Sequence, residues 1–264
     1  MYYDLLTSEL PETKAGVDPC YAFSVHKCGS TLMHSMIKSV CAAVDIPATN
    51  VPTVMHSEGI LPRDWGQDES LLKAFGLPAL HYGFRFLPPN LTNPKLDLKS
   101  RRTVLLVRDP RDALVSQYFS YGKKDGSHFV PQKMKAAMER SMERNSGLNI
   151  DEYVLQEAPK LLRKLEAYRR HLNFDNCLVC RYEDVFFDKH SFLAEIFTHF
   201  GIDVPANVIA SSAAEHDVRP IKEDPSRHIR KGTPGDHADK LQPETISALN
   251  DQFRDIGAFY CYAF

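Results

Sequence analysis

The hydrophobic pattern of the chain alternates between short apolar runs and longer stretches with apolar residues at helical spacing. Thr103–Val107 (TVLLV) is a continuous apolar run, typical of a strand buried on both faces of a parallel sheet. Three further segments are predicted as strands: 21–25, 80–84 with its alternating pattern, and 177–181.

Most of these runs are followed by a segment whose apolar residues lie three or four positions apart, as on one face of a helix. Helices are predicted from Ser30 onward, over 109–121, over 152–172 with a disturbance at Pro159, and over 191–200 with Gly201 as C-cap. A polar helix over 132–145 has methionines at positions 134, 138 and 142, for which a packing face is favoured over an acceptor-binding lid. The proline-rich segment 47–62 is predicted to be irregular.

Strands that alternate with helices predict an α/β fold. We expect three layers, α/β/α, around a central, mainly parallel sheet with a P-loop-like nucleotide-binding architecture. The chain has 264 residues, which suits one domain over 1–264. Ligands of such sheets bind beyond the carboxyl ends of the strands.

Composition and charge narrow the possible functions. The net charge is -2, without the basic surplus that broad nucleic-acid binding requires, so no nucleic-acid partner is expected. No window approaches 18 apolar residues, and the N-terminus lacks the layout of a signal peptide, which predicts a cytoplasmic protein without a transmembrane segment. Cys177 and Cys180 form a single CxxC in an apolar run, so a buried strand is favoured over a dithiol site and no metal is expected.

The first candidate site is the loop between the first strand and the first helix. It contains Lys27 and Gly29, and its position at a helix N-terminus favours an anion. Glycine permits close backbone approach, hydroxyl side chains add donors and lysine adds a mobile positive charge. A Walker A loop is absent because the lysine precedes the glycine. The loop residues with predicted ligand roles are Lys27, Cys28, Gly29, Ser30 and Thr31.

Two further segments carry cations that suit a phosphate. Arg108 follows the buried strand, and Ser116 lies eight residues later, so a guanidinium fork and a hydroxyl can hold one phosphate. Arg230, Lys231 and Gly232 form a compact basic loop near the C-terminus. Taken singly, each segment also fits a purely structural role.

In this order the three segments resemble the sulfotransferase family that uses 3'-phosphoadenosine-5'-phosphosulfate (PAPS). HKCGST resembles its 5'-phosphosulfate loop, VRDPRDALVSQYFS its 3'-phosphate strand and helix, and IRKGTPGDH its late RKGxxGDW motif. The resemblance implies PAPS as donor, its product PAP, and an adenine contact for Tyr182 in RYED. Two positions depart from the family pattern: His237 replaces a tryptophan and Leu32 replaces an adenine-stacking aromatic.

The general base is not fixed by the resemblance. Cytosolic relatives have a histidine in a Lys-Thr-His-Leu-Pro motif, and Phe86 occupies that position here. Glu58 is the first alternative, followed by His81 and then His56. Lys27 is the candidate cation for the leaving oxygen.

The acceptor stays open at this point, and so does the oligomeric state. A small molecule, a carbohydrate or a lipid headgroup fits, through a hydroxyl or an amine, with contacts expected from 47–75 and 122–145. The rival functions are a non-catalytic PAP-binding or nucleotide-binding protein of the same fold and, less favoured, a P-loop-type kinase.

Overall fold

The computed structural model describes residues 17–66, 68–122, 139–140, 143, 145, 147–218 and 232–264. Its centre is a five-stranded sheet with strand order β2-β3-β1-β4-β5, in which every neighbouring pair is parallel. The strands are β1 (Cys20–Ser24), β2 (Ala48–Thr49), β3 (Leu80–Phe84), β4 (Thr103–Val107) and β5 (Cys177–Arg181).

Helices follow the strands along the chain. They are α1 (Ser30–Ala43), α2 (Val51–Ser57), α3 (Glu69–Phe75), α4 (Pro110–Gln117), α5 (Ile150–His171), α6 (Tyr182–Phe187), α7 (Lys189–Phe200), α8 (Ala206–Glu215), α9 (Asp236–Lys240) and α10 (Pro243–Phe259). Short 3-10 turns cover Pro62–Asp64, Pro89–Thr92, Pro94–Leu96 and Leu98–Ser100, and a π-helical turn, Tyr118–Gly122, continues α4.

The sheet separates two hydrophobic cores. Along β4, Val104 and Leu106 face a core with α1, α7 and α8, whereas Leu105 and Val107 face a core with α3, α5 and α10. Because successive strand residues point to opposite faces, the apolar run of β4 is buried on both sides. The predicted three-layer α/β fold with a central parallel sheet is confirmed.

Several local predictions match the structure, and two do not. Gly201 ends α7 in the left-handed conformation (φ 70°), as predicted. The segment 47–62, predicted as irregular, contains β2 and α2, because the Asn50 side chain caps α2 by accepting a hydrogen bond from Thr53 N. Pro159 lies within α5, which continues unbroken to His171. The predicted methionine face at 134, 138 and 142 lies outside the described residues.

Strand order also fixes where a ligand can bind. The chain moves from β1 to β2 and β3 on one side, then to β4 and β5 on the other. The loops that leave β1 and β4 therefore diverge at their carboxyl ends, and this switch point is where open α/β sheets bind ligands.

Candidate active site

The loop after β1 has a backbone that requires glycine. Gly29 precedes α1 with φ 88°, and Lys27 also has a positive φ of 65°. A Cβ atom on Gly29 would lie 2.6 Å from Cδ2 of Tyr182. The loop backbone therefore packs directly on the tyrosine ring. The first amides of the 14-residue helix α1, which lack partners within the helix, face this loop.

The Lys27 side chain crosses from this loop to the π-helical turn that follows α4. Its Nζ donates to Ser120 Oγ over 2.7 Å, and Ser120 Oγ donates to the carbonyl of Ser116 over 3.1 Å. Nζ also lies 5.7 Å from the ring centre of Tyr121. The structure thus brings the backbone of the half-buried Ser116 close to Lys27 through one intervening hydroxyl.

Arg108 is buried where β4 ends. Its guanidinium carbon lies 4.5 Å from the ring centre of Tyr182, and Nη2 lies 3.5 Å from Asp112 Oδ2. Burial acts to lower the pKa of Arg108, but Tyr182 and Asp112 raise it above its usual value, so the side chain stays charged. Its Nε is buried and has no hydrogen-bond partner among the described residues. A buried cationic donor of this kind suits an anionic ligand.

Tyr182 joins the three predicted binding segments. Its ring contacts Gly29 and Arg108, and its hydroxyl donates to the Gly232 carbonyl over 2.7 Å. Burial is the largest influence raising the pKa of Tyr182, so the phenol stays protonated and able to donate. Gly232 therefore lies beside the other two segments, whereas Arg230 and Lys231 lie outside the described residues.

Arg85 is a site residue that the sequence predictions did not include. It follows β3, and its Nε donates to Ser30 Oγ over 3.1 Å. Burial and then the charge of Arg85 lower the pKa of His34 to about 3, and the same two causes lower the pKa of His56. Arg85 therefore adds a cation beside the first turn of α1. Its position directly after the predicted strand 80–84 is the feature of the sequence that indicates a ligand-binding role, because ligands bind at the carboxyl ends of such strands.

The remaining loop residues differ in exposure. Cys28 is buried, and burial raises the pKa of its thiol to about 12, so it is no nucleophile near neutral pH. Ser30 is buried and held by Arg85, whereas Thr31 is exposed.

The three candidate bases occupy different places. Glu58 is half-buried at the C-terminus of α2. It follows His56 by two residues, and the pKa of His56 is lowered by burial and by the charge of Arg85. His81 is fully buried near the start of β3, where Nε2 contacts the Leu77 carbonyl at 2.9 Å and burial lowers its pKa to about 4. This position argues against His81 as the base, because ligands bind at the opposite, carboxyl end of the strands.

Phe86 occupies an apolar environment. Its ring lies 5.5 Å from that of the buried Trp65, in an edge-on arrangement. The position where relatives have a histidine therefore serves packing here.

The described residues contain no group of three or more His, Cys, Asp or Glu side chains able to hold a metal ion. Within the same residues, no helix has the length and apolar character needed to cross a membrane.

The chain thus has a parallel α/β sheet with cationic loops at its switch point. This is the arrangement of the class of open α/β proteins that bind anions and nucleotides. Within that class, the family model for the sulfotransferase domain matches residues 22–256, and the chain belongs to this family.

Solved structures share this fold. Mouse sulfotransferase SULT7A1, complexed with PAP, is 19% identical, with a TM-score of 0.61 over 96% of this chain and 89% of that chain. Sulfotransferase STF9 from Mycobacterium avium is 12% identical, with a TM-score of 0.51 over 99% of this chain and 80% of that chain. No curated protein matches the chain in a sequence search.

Proposed function

We propose that this sulfotransferase-family protein moves a sulfuryl group from PAPS to a hydroxyl or amine group of its acceptor. The observation that carries the proposal is the position of Tyr182, against Gly29, Arg108 and Gly232. The family resemblance assigns these same segments to the 5'-phosphosulfate and the 3'-phosphate. The P-loop-like character of the loop after β1 is part of this proposal.

The positions of the cations at this site support a nucleotide with phosphoryl groups on both the 3' and the 5' oxygen of its ribose. We assign the 3'-phosphate to Arg108 and Ser116, with Arg230, Lys231 and Gly232. The buried Nε of Arg108, which has no hydrogen-bond partner in the part of the chain that the structure describes, supports this assignment. We assign the 5'-phosphosulfate to residues 27–31 and add Arg85, which already contacts Ser30. A contact of Tyr182 with adenine stays a prediction, since its ring packs on Arg108 and Gly29.

The chemistry requires in-line attack and stabilisation of the charge on the leaving oxygen. The acceptor oxygen forms the new bond to sulfur as the bond from sulfur to the bridging oxygen breaks, leaving its electron pair on PAP. Lys27 is assigned to that oxygen, because its ammonium is on the binding loop and the N-terminus of α1 adds positive potential. The proton of the acceptor hydroxyl passes to a base, for which we rank Glu58 above His56.

A non-catalytic PAP-binding protein is the second candidate. The apolar packing of Phe86 against Trp65 favours it, because the histidine that serves relatives as base is absent. The loop lysine favours the enzyme instead. A P-loop-type kinase is the third reading, and the order of lysine and glycine in residues 27–31 disfavours it.

Melting temperatures with PAP, ATP and AMP test the proposal. A ligand at 100 times its dissociation constant stabilises the fold by about 2.7 kcal/mol. PAP should raise the melting temperature more than ATP or AMP at equal concentration. A larger shift with ATP would favour the kinase, and no shift with saturating PAP would overturn the donor assignment. Release of PAP from PAPS in the presence of an acceptor then separates the enzyme from the non-catalytic binder.

We further propose one sulfotransferase domain over residues 1–264 and a cytoplasmic location. The cytoplasmic location is supported by the six cysteines, which all lie in described segments and are all free thiols.

A further inference from the structure

A cavity of about 550 Å³ opens between the end of α4 and the first half of α5. This volume lies within the range of small-molecule sites. Seven of the described residues line it: Gln117, Tyr121, Asn145, Tyr153, Gln156, Glu157 and Lys160.

The cavity adjoins the donor loop. Tyr121 forms one wall, and its hydroxyl lies 3.0 Å from Nε2 of His26, the residue before Lys27. The Lys27 ammonium lies 5.7 Å from the centre of the same ring. The cavity and the proposed leaving-group cation therefore share Tyr121 as a neighbour.

Each of these seven side chains carries a hydrogen-bonding group. The Gln117 amide donates to Glu157 over 3.1 Å and also hydrogen-bonds the Tyr153 hydroxyl. Gln156 likewise donates to Asn145, so these groups are already linked to one another. An apolar ligand would displace water from their remaining donor and acceptor positions without replacing it, whereas a ligand rich in hydroxyl groups would take its place.

The charges of the seven described lining residues cancel. Glu157 is the one carboxylate among the seven residues and Lys160 the one ammonium, and the two form an ion pair. A charged acceptor would have to compete with this pair. These seven residues thus favour a neutral ligand.

We propose that this cavity is the acceptor site and that the acceptor is a neutral molecule with several hydroxyl groups, of sugar or polyol chemistry. The inference rests on the sulfuryl transfer proposed above and narrows the hydroxyl-or-amine alternative to a hydroxyl.

Label transfer to fractionated metabolites tests this inference. A metabolite extract is divided between octanol and water, and the water phase is separated by ion exchange into neutral, cationic and anionic pools. Each pool, and androsterone and 4-nitrophenol as apolar probes, is incubated with the protein and PAPS labelled in the sulfuryl group. The label should enter products from the neutral polar pool. Preferential labelling of the octanol phase, a charged pool or either probe overturns the inference.

The PAP melting-temperature shift is measured in parallel, so that a failure of the donor assignment can be told from a failure of the acceptor inference. Absence of that shift contradicts the donor assignment itself. A normal shift with label in another pool or in a probe contradicts the acceptor inference alone. A normal shift with no labelled product in any pool overturns both the acceptor inference and the sulfuryl transfer, and favours the non-catalytic PAP-binding protein.

Two variants locate the acceptor. Gln117→Leu and Tyr153→Phe remove hydrogen-bonding groups from the lining. They should raise the KM for the labelled acceptor, isolated from the neutral polar pool, by about 10-fold each. PAP affinity and kcat at saturating acceptor should change less than twofold. Gln252→Leu, at a half-buried glutamine of α10, is the matched control. An equal rise of KM in the control, or unchanged KM in both lining variants, overturns the assignment.

Discussion

The carboxylate of Asp112 in α4 accepts a hydrogen bond from Nδ1 of His237 over 2.7 Å. It also accepts from the backbone amides of Gly235 and His237 and lies 3.5 Å from Arg108. This histidine stands where the family motif has a tryptophan. Its ring and backbone therefore hold the segment after Gly232 against α4 through a buried charge.

Asp112→Asn should destabilise the fold by about 1.5–3 kcal/mol near pH 7, because hydrogen bonds to a buried charge are lost. Burial acts to raise the pKa of this carboxyl, but the bonds from His237 and the charge of Arg108 outweigh it and hold the pKa well below its usual range. The measurement is the free energy of unfolding in urea. Asp251→Asn, which breaks an exposed ion pair on α10, is the control and should cost less than about 1 kcal/mol.

The same variant has a defined pH dependence. A carboxyl whose pKa is lower in the folded than in the unfolded protein stabilises the fold above the unfolded pKa, about 4. That contribution is lost as pH falls through the folded value. The difference between wild type and Asp112→Asn should therefore be full at pH 7 and smaller at about pH 3. A difference that is constant over this range would contradict the assigned charge.

Gly29→Ala should weaken both folding and PAP binding. The added Cβ meets the Tyr182 ring at 2.6 Å, and the residue must keep φ 88°. The left-handed conformation alone costs a non-glycine residue about 1–2 kcal/mol. Gly66→Ala, with φ 55° and open space around the added atom, isolates this conformational cost. Urea unfolding and PAP titration should show a greater loss for Gly29→Ala, and equal losses in both variants would contradict the packing of the loop on Tyr182.

Lys27→Ala should depress kcat more than it weakens PAP binding. The ammonium is assigned to an oxygen whose charge grows in the transition state, so its removal affects the rate preferentially. Turnover at saturating PAPS and calorimetry with PAP are compared in the two proteins. Parallel losses would indicate a binding lysine instead.

Glu58→Gln should lower turnover by roughly 10²–10⁴, the usual range for general-base catalysis, and leave PAP affinity unchanged. His81→Gln serves as the control, because His81 lies in the core and contacts the Leu77 carbonyl. Turnover per folded molecule should stay near wild type in the control. Near-normal turnover of Glu58→Gln would remove it as the base and make His56 the next residue to test.

Local pattern predicted most of the sheet. Thr103–Val107 is apolar without interruption because both of its faces are buried, and its bounds as a strand agree with the structure. The helix Val51–Ser57 was missed because prolines favoured an irregular segment, although Asn50 followed by a proline near the helix start is a capping signal. Pro159 was expected to disturb α5, but packing of the helix on the core keeps it continuous.

The site was less predictable where it depends on long-range contacts. Arg85 and Ser30 are 55 residues apart, and their hydrogen bond exists because β3 and β1 are neighbours in the sheet. Asp112 and His237 are 125 residues apart. Motifs identified the binding segments, but strand order decides which of their side chains meet.

Calorimetric titration of PAP and AMP into wild type and Arg108→Ala tests the donor site most directly. AMP lacks the 3'-phosphate, and a charge-assisted hydrogen bond contributes about 1.5–3 kcal/mol, or about 10- to 150-fold in affinity. PAP should bind wild type at least about 10-fold more tightly than AMP. Arg108→Ala should lose most of that preference while its affinity for AMP stays nearly unchanged. Equal affinities of PAP and AMP for the wild-type protein would contradict the PAPS donor site.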